Sequence, residues 1–401
     1  MTQAALAESR PSHVRLIAVI SAAHFVSHYY ILILAPLLPF VREAYGVSYT
    51  EIGLALTTFN VVTGALQTPA GFLVDWLGAR VILIIGLLIG ATAFVVVGMV
   101  DSFWVLVAMF GLAGVGNTVY HPADYTLLSQ HVPAERIGQA FSIHTFAGMM
   151  GSAFAPTSLL MMQSVWGWRA AFIGAGLFGF AVAAILMLVR DNAPAHAAAP
   201  VAKASEDKPA EGWRLLMTAP ILMNMFFFVL IAMISGGMFN YSVVALGALY
   251  GTPPAVANSA LSSLLLLSAF GVLVGGVIAT RVSRHAWVAA LGLAAMALTA
   301  ALVAQVDMNT VLLVLVMTAF GFFYGIIMPS RDMIVREVTP PGSFGKVFGF
   351  VTTGFNIGGI VSPLIFGAIM DHSSPRLVFV AVAAFALLSV FTVISLPKKP
   401  A

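Results

Sequence analysis

The chain has 401 residues, of which 60% are hydrophobic and only 8% are charged, with a mean hydropathy of +1.01 and a formal net charge of +3. A water-soluble globule of this size cannot bury so much apolar surface, so the composition excludes a soluble protein and predicts an integral membrane protein with the lipid bilayer as its solvent. Cysteine is absent, which excludes a disulfide framework and a thiolate metal site.

Hydrophobic stretches of about 20 residues, the length that a spanning helix needs, recur along the whole chain. Six lie near residues 15, 50, 80, 103, 136 and 168, and six more lie near 220, 256, 285, 310, 343 and 375. The segment before residue 15 is polar and continues into a long span without a cleavage site, so we expect it to stay attached. The chain is therefore predicted to be an all-α membrane protein with twelve transmembrane helices.

A hydrophilic stretch rich in alanine and proline separates the first six spans from the second six and is typical of a solvated linker. The expected domains are an N-terminal six-helix bundle over residues 1–190, a cytoplasmic linker over 191–213 and a C-terminal six-helix bundle over 214–401. An internal repeat supports this division, because glycines and prolines recur at an offset of 207 residues: Gly114/Gly321, Pro122/Pro329, Pro133/Pro340, Gly138/Gly345, Gly151/Gly358 and Pro156/Pro363. The repeat predicts two pseudo-symmetric bundles with the substrate site between them.

Basic residues are distributed unevenly among the predicted loops. With both termini in the cytoplasm, fourteen lysines and arginines fall on the cytoplasmic side and three, Arg42, Arg169 and Arg376, fall outside. We therefore expect both termini to be cytoplasmic, and we interpret the basic residues as topology signals rather than as a patch for nucleic acid.

The loop between spans 2 and 3, residues 71–80 (GFLVDWLGAR), resembles the major facilitator signature G-x-L-x-D-R-x-G-R-K/R. The matching positions are Gly71, Asp75, Gly78 and Arg80. Two basic positions of the signature are replaced by Trp76 and Ala79, and the copy between spans 8 and 9 has Thr280 where the acid would be. The resemblance implies the major facilitator fold. We expect the gate on the cytoplasmic side to involve Asp75, Arg80, Arg136 and Asp332.

Span 1 and its surroundings resemble the fosmidomycin-resistance branch of that superfamily. The residues that carry the resemblance are 24–30 (HFVSHYY), 36–39 (PLLP), Ser48, 53–54 (GL), 67–69 (QTP) and 121–122 (HP). The resemblance implies proton-driven efflux of a small polar or amphiphilic compound in a bacterial inner (plasma) membrane. The antiporter signature of the family is only partial, because Phe110 replaces a basic residue in span 4 and no glycines follow Pro156.

Ionisable side chains at membrane depth are costly, so they are default candidates for a functional site. Asp124 is the isolated acid well inside the first half, and we predict that it carries the coupled proton. Four histidines on spans 1, 4 and 5 are expected in the same layer and complete the proton-coupling set: His24, His28, His121 and His144. Two alternatives stay open: the histidines only hydrogen-bond between helices, or His24 and His28 bind a metal together with His121 or Asp124.

Amide, phenol and guanidinium groups are expected to line the solute cavity. They are Tyr29, Tyr30, Gln67, Asn117, Tyr120, Asn240, Tyr241, Arg331 and Asn356. Arg331 is equivalent to Asp124 in the repeat, which predicts that the two approach each other, whereas the alternative is that Arg331 pairs with Asp332 or Glu337. Ser48 and Glu51 have the spacing of a capping box at the start of span 2, which explains Glu51 structurally.

Together these patterns predict a secondary-active transporter that moves a small organic solute by alternating access, as a monomer and with protons as the coupling ion. We expect proton-coupled efflux. The alternatives are proton-coupled uptake of an organic anion and a non-transporting sensor on the same fold. An enzyme is not expected, because the short loops hold no nucleophile, metal set or acid–base pair, and neither a metal, a nucleotide nor another cofactor is expected.

Overall fold

The computed structural model describes residues 3–133, 136–189, 214–340 and 344–395, so the predicted linker over 191–213 lies outside the described residues. The helices of the first half are α1 (Gln3–Ile31), α2 (Leu38–Tyr45), α3 (Tyr49–Leu77), α4 (Ala79–Met99), α5 (Phe103–Asn117), α6 (Tyr120–His131) and α7 (Ile137–Leu188). Those of the second half are α8 (Ala219–Ser235), a π-helical segment (Gly236–Tyr241), α9 (Ser242–Tyr250), α10 (Pro254–Arg281), α11 (His285–Gln305), α12 (Thr310–Val338), α13 (Phe344–His372) and α14 (Arg376–Ile394).

Ten helical stretches of the described residues are long and apolar enough to cross a membrane. One of them, Gln139–Leu188, has 50 residues and is interrupted at Gly167, whose φ of 84° lies in the left-handed region that favours glycine. This stretch therefore supplies two crossings. Helix α3, with 29 residues, supplies one more. The predicted all-α fold with twelve spans is confirmed.

The chain forms two compact units. Unit 1 comprises Met1–Leu37 and Thr58–Ala202, and unit 2 comprises Leu38–Thr57 and Lys203–Ala401. Helix α3 therefore begins in unit 2 and ends in unit 1. In unit 1, α7 packs along α1 and α4, and α4 also packs on α5. In unit 2, α10 and α11 pack on α12, α11 packs on α14, and α8 packs on α13.

Equivalent glycines of the internal repeat make equivalent helix contacts. A side chain added at any of them would meet the backbone of the facing helix, and the pairs are Gly114 on Phe59, Gly321 on Leu264, Gly151 on Phe25 and Gly358 on Val229. Small residues at such crossings allow helix backbones to approach closely. The last two pairs also align α1 with α8 at an offset of 204 residues, because Phe25 and Val229 occupy the same place.

Span 7 is not a continuous α-helix, because Gly236–Tyr241 forms a π-helical segment between α8 and α9. Such segments are rare and occur frequently at functional sites. A side chain added at Gly236 would meet Ser362 of α13, and one added at Gly237 would meet Phe366. The paired glycines therefore let the π-helical turn lie directly against α13.

Candidate functional site

Helix α6 places Asp124 in the interior of unit 1, where its side chain is completely buried. Its Oδ2 atom lies 3.6 Å from His24 Nδ1 and 3.6 Å from His144 Nε2. Neither carboxylate oxygen has a hydrogen-bond partner among the described residues. A buried charge is costly unless a partner compensates it, and the two imidazoles are the groups placed to do so.

His24 is the centre of the histidine cluster. Its ring stacks on that of His144 with 3.9 Å between centroids and 24° between planes, and its centroid lies 4.6 Å from that of His28 and 5.3 Å from that of His121. His24 and His144 are buried, His28 is half-buried and His121 is exposed. The structure thus brings together all five residues of the predicted proton-coupling set, from α1, α6 and α7.

Two further residues extend the cluster and were missed by the sequence analysis. Ser152 Oγ lies 3.3 Å from His28 Nδ1. The Tyr125 ring stacks on His121 at 5.9 Å between centroids and lies 5.8 Å from His144. The signal for Ser152 was its spacing of eight residues from His144, which puts both on one face of a helix. Tyr125 links the exposed His121 to the buried part of the cluster.

Gly148 gives the histidines the space that they occupy. A Cβ atom added there would lie 2.5 Å from His24 Cδ2, 2.6 Å from His24 Nε2 and 3.0 Å from His28 Cδ2. Gly148 stands one helical turn from both His144 and Ser152, so these three residues form one stripe of α7 that faces α1. The stripe accommodates two imidazoles only because its middle position has no side chain.

The ligand atoms of His24, Asp124 and His144 all lie within 4.8 Å of one another, which is close enough to consider a metal ion. A tetrahedral ion requires that the imidazole lone pairs, which lie in the ring planes, converge on one point about 2 Å from each nitrogen. Because the stacked rings lie in nearly parallel planes, at 24° to each other and with centroids 3.9 Å apart, lone pairs in those planes are poorly placed to converge on one point. The arrangement fits proton exchange between a carboxylate and imidazoles better than it fits metal coordination.

Unit 2 has its own charged centre at Arg331. Its Nε and Nη2 atoms lie 2.8 and 2.7 Å from Asp332 Oδ1, and its Nη1 atom lies 3.0 Å from Met328 Sδ. The guanidinium also lies over the rings of Phe228 and Phe355, at 4.6 and 5.1 Å from their centroids, in cation–π geometry. Of the two partners considered for Arg331 within its own unit, Asp332 is the one that the structure shows.

The two charged centres occupy equivalent places in the repeat. Arg331 corresponds to Asp124 and Phe355 to Gly148 at the offset of 207, and Phe228 corresponds to His24 at the offset of 204. In each unit, the charged residue of span 4 or span 10 therefore meets the same position of span 1 or span 7. In the first unit the Asp124 carboxyl group lies among imidazole rings. In the second unit the Arg331 guanidinium lies over phenyl rings.

The predicted solute-binding tyrosines differ in their surroundings. Tyr29 Oη lies 3.0 Å from Ser158 Oγ, and Tyr29 lines a cavity of about 320 Å³ between α1 and α7. Tyr30 and Tyr241 are buried and donate to the backbone carbonyls of Ala175 and Pro363, at 3.1 and 2.8 Å. Contact of these two hydroxyls with a solute would require those bonds to break. Tyr120 is also buried, and its hydroxyl has no hydrogen-bond partner among the described residues.

The remaining predicted solute-binding residues, Gln67, Asn117, Asn240 and Asn356, are half-buried. Asn240 lies in the π-helical segment, where its Nδ2 donates to the Gly236 carbonyl at 3.4 Å. Its Oδ1 atom has no partner among the described residues.

The predicted gating residues lie near helix ends, except Asp332. Arg80 at the start of α4 donates to the carbonyls of Leu186, at 2.6 Å, and Val189, so it ties α4 to the end of α7. Asp75, near the end of α3, and Arg136, before α7, are exposed. Asp332 lies within α12 and forms an ion pair with Arg331.

Comparisons with known proteins agree with this architecture. The fosmidomycin resistance protein of Escherichia coli (strain K12) is 24% identical over 384 residues, which cover 94% of this chain and 92% of that protein. The probable L-galactonate transporter of the same organism is 31% identical over 143 residues, so the match spans 36% of this chain and 32% of that relative. A solved bacterial homologue of the human lysosomal transporter Spinster has the same fold, with a TM-score of 0.80 at 15% identity over 98% of this chain and 99% of that one.

The sequence profile of the Major Facilitator Superfamily matches residues 20–252 and 225–401. These two matches overlap over residues 225–252 and together cover nearly the whole chain. The likeness to the fosmidomycin-resistance branch, first seen in span 1, extends over both halves. The chain therefore belongs to the Major Facilitator Superfamily and is a secondary transporter, not an enzyme.

Proposed function

We propose that this chain is a proton-coupled exporter of a small organic solute, with Asp124 as the group that binds and releases the proton. The observation that carries the proposal is the complete burial of Asp124 against His24 and His144. A carboxyl group withdrawn from solvent cannot change its charge without a response from its surroundings. Protonation of Asp124 is therefore coupled to the packing of α1, α6 and α7.

The exposure of the histidines suggests how the proton reaches Asp124. His121 is exposed and is linked through Tyr125 to His144, which contacts Asp124. His24 and His144 are stacked so closely that two imidazolium charges would repel each other strongly in a medium of low dielectric constant. The cluster thus accommodates one positive charge against one negative charge. Binding or loss of the proton shifts the balance between conformations that hold it differently.

Export is favoured by the likeness to the fosmidomycin resistance protein, because that match extends over 94% of this chain. Resistance to a compound is achieved when the compound is removed from the cell. We further propose that the protein is a monomer of the bacterial inner membrane with both termini in the cytoplasm. In this proposal, six-helix bundles over 1–190 and 214–401 are joined by the linker over 191–213.

Proton-coupled uptake of an organic anion is the second candidate. Two observations favour it: Arg331 places a cation in unit 2, and a stretch of 143 residues is 31% identical to a probable L-galactonate transporter. In this mechanism the solute carboxylate would displace Asp332 from Arg331. Replacement of Arg331 by Gln would then abolish anion uptake, whereas export of an uncharged solute would survive it.

The decisive experiment measures solute flux in proteoliposomes with a pH gradient imposed in either direction. The solute panel includes fosmidomycin and L-galactonate. We expect a gradient of one sign to drive accumulation against the solute gradient, with solute and proton moving in opposite directions. Flux in the same direction as the proton would support uptake instead. Flux that is the same with a pH gradient of either sign would refute proton coupling.

The matched pair of variants for this assay is Asp124→Asn and Asp101→Asn. Asp101 lies in a loop, its side chain is 80% exposed, and it pairs with Arg169, so its neutralisation leaves the cluster untouched. We expect Asp124→Asn to lose accumulation and Asp101→Asn to keep it. Unchanged accumulation with Asp124→Asn would move the proton site to another residue.

A further inference from the structure

Helix α3 begins in unit 2, where its first turn lies on the end of α13. Asp371 of α13 accepts hydrogen bonds from the backbone N–H groups of Tyr49 and Thr50, both at 2.7 Å. The first N–H groups of a helix have no partner within the helix, and the helix dipole makes this end positive. A carboxylate at this position satisfies two donors and complements the dipole.

The start of α3 also carries a cap of its own. The Ser48 N–H donates to Glu51 Oε2 at 2.7 Å, and the Glu51 N–H donates to Ser48 Oγ at 3.1 Å, which is the reciprocal pattern of a capping box. This confirms the capping box predicted from the sequence. Because it lies wholly within the start of α3, the helix remains capped without Asp371. The bonds to Asp371 therefore hold α3 to α13 rather than create the end of α3.

The two helices meet through backbone and small side chains over two turns. A Cβ atom added at Gly367 would lie 2.8 Å from Thr50 Cα, and one added at Gly53 would lie 2.9 Å from the Pro363 carbonyl oxygen. Thr57 Oγ1 donates to the Ile360 carbonyl at 3.1 Å, and Thr57 is the last residue of α3 that belongs to unit 2. These approaches are made by backbone atoms, two glycines and a threonine, so the backbones of α3 and α13 lie close together beside the bonds to Asp371.

We propose that Asp371 is a positioning residue that clasps α3 to α13 in one state of the transport cycle and releases it in another. We call the contact of Asp371 with the Tyr49 and Thr50 N–H groups the clasp. The number of crossings puts the start of span 2 and the end of span 11 on one side of the membrane, opposite the N-terminus, so the clasp closes the pathway on that side. The proposal rests on secondary transport alone and not on proton coupling.

The test uses the absence of cysteine from the chain, which leaves no background for thiol labelling. A single cysteine is introduced by Thr57→Cys, and its reaction with a membrane-impermeant maleimide reports separation of α3 from α13. Loss of a carboxylate from a helix N-terminus changes such a balance by roughly two- to thirty-fold. We expect Asp371→Asn to raise the labelling rate by a factor in that range and Gly367→Ala to raise it as well.

Two matched variants control for general loosening. Glu51→Gln weakens the capping box and removes a like charge close to Asp371 of α13, and Gly349→Ala adds a Cβ on α13 where nothing lies within 4 Å. Neither variant should raise the labelling rate. The thermal midpoint of each variant is measured in detergent, and labelling rates are compared only between variants with the same midpoint. An unchanged rate in both Asp371→Asn and Gly367→Ala overturns the clasp, and so does an equal rise in all four variants. Neither result depends on whether flux is driven by protons.

Discussion

The rings of His24 and His144 stack with their centroids 3.9 Å apart, and each presents a nitrogen to the same oxygen of Asp124. The three groups come from three different helices, α1, α7 and α6. A change in the charge of any one of them is therefore felt by all three helices. We therefore expect His24, His144 and Asp124 to act as one unit.

Substitutions within the cluster should not be additive. We expect His24→Gln, His144→Gln and Asp124→Asn each to impair gradient-driven accumulation, and the double variant His24→Gln/Asp124→Asn to be no worse than Asp124→Asn alone. Residues in one network show interaction energies of about 0.5–3 kcal/mol. The measurement is the accumulation ratio at a fixed pH gradient. Additive losses on a logarithmic scale would show that the residues act separately.

The exposed end of the cluster should affect access of the proton more than its binding. We expect His121→Gln to slow proton-driven flux and to shift its pH profile, but to leave the final accumulation ratio close to that of the unchanged protein. His24→Gln, at the buried centre, should lower the ratio itself. Initial rates and end points are measured over a pH series. If His121→Gln lowers the initial rate and the final accumulation ratio equally, His121 takes part in binding of the proton and not only in its access.

Gly148→Ala should push His24 away from Asp124. The added Cβ would lie 2.5 Å from His24 Cδ2, so one of the two helices must shift, and overpacking of this kind typically costs about 1–3 kcal/mol. We expect a lower thermal midpoint together with loss of gradient-driven flux. The control is Gly276→Ala, because a Cβ there meets nothing within 4 Å. A transport-competent Gly148→Ala would mean that the position of His24 is not critical.

Transport should not require a metal ion. The stacked rings of His24 and His144 hold their lone pairs in two nearly parallel planes, which opposes coordination of one ion by both histidines. We expect gradient-driven flux to be the same before and after dialysis against a strong chelator. Loss of flux that a single divalent ion restores would make His24, Asp124 and His144 the first ligands to test.

The spans and the proximity of the five residues of the predicted proton-coupling set were predictable for the same reason. A helix that crosses a membrane has a fixed length and period, so hydrophobic stretches locate it and its spacing shows which residues share a face. His24 and His28 are one turn apart on α1. Asp124 lies at a similar depth on α6, the helix that continues span 4. Depth and face together were enough to bring these residues to one place.

Other features depend on contacts that no local pattern reveals. The partner of Arg331 is set by the conformation of its side chain, so Asp332 and Glu337 were both compatible with the sequence. The clasp joins residues 322 positions apart, from Tyr49 to Asp371, and nothing in the sequence near either residue indicates its partner. The π-helical turn lies inside a continuous apolar stretch, where hydropathy carries no information about the pattern of backbone hydrogen bonds.

The equivalence of Gly148 and Phe355 bears on how the two halves diverged. If they descend from one duplicated segment, they cannot be interconverted by single substitutions. Phe355→Gly alone would leave a void beside the buried Phe228, and Phe228→His alone would place an imidazole beside the Arg331 guanidinium. We therefore expect each single change to be destabilising, so that return requires simultaneous changes. The asymmetry of the halves is thus protected by epistasis, and a chain built from two copies of either half would lack one of the two opposite charges.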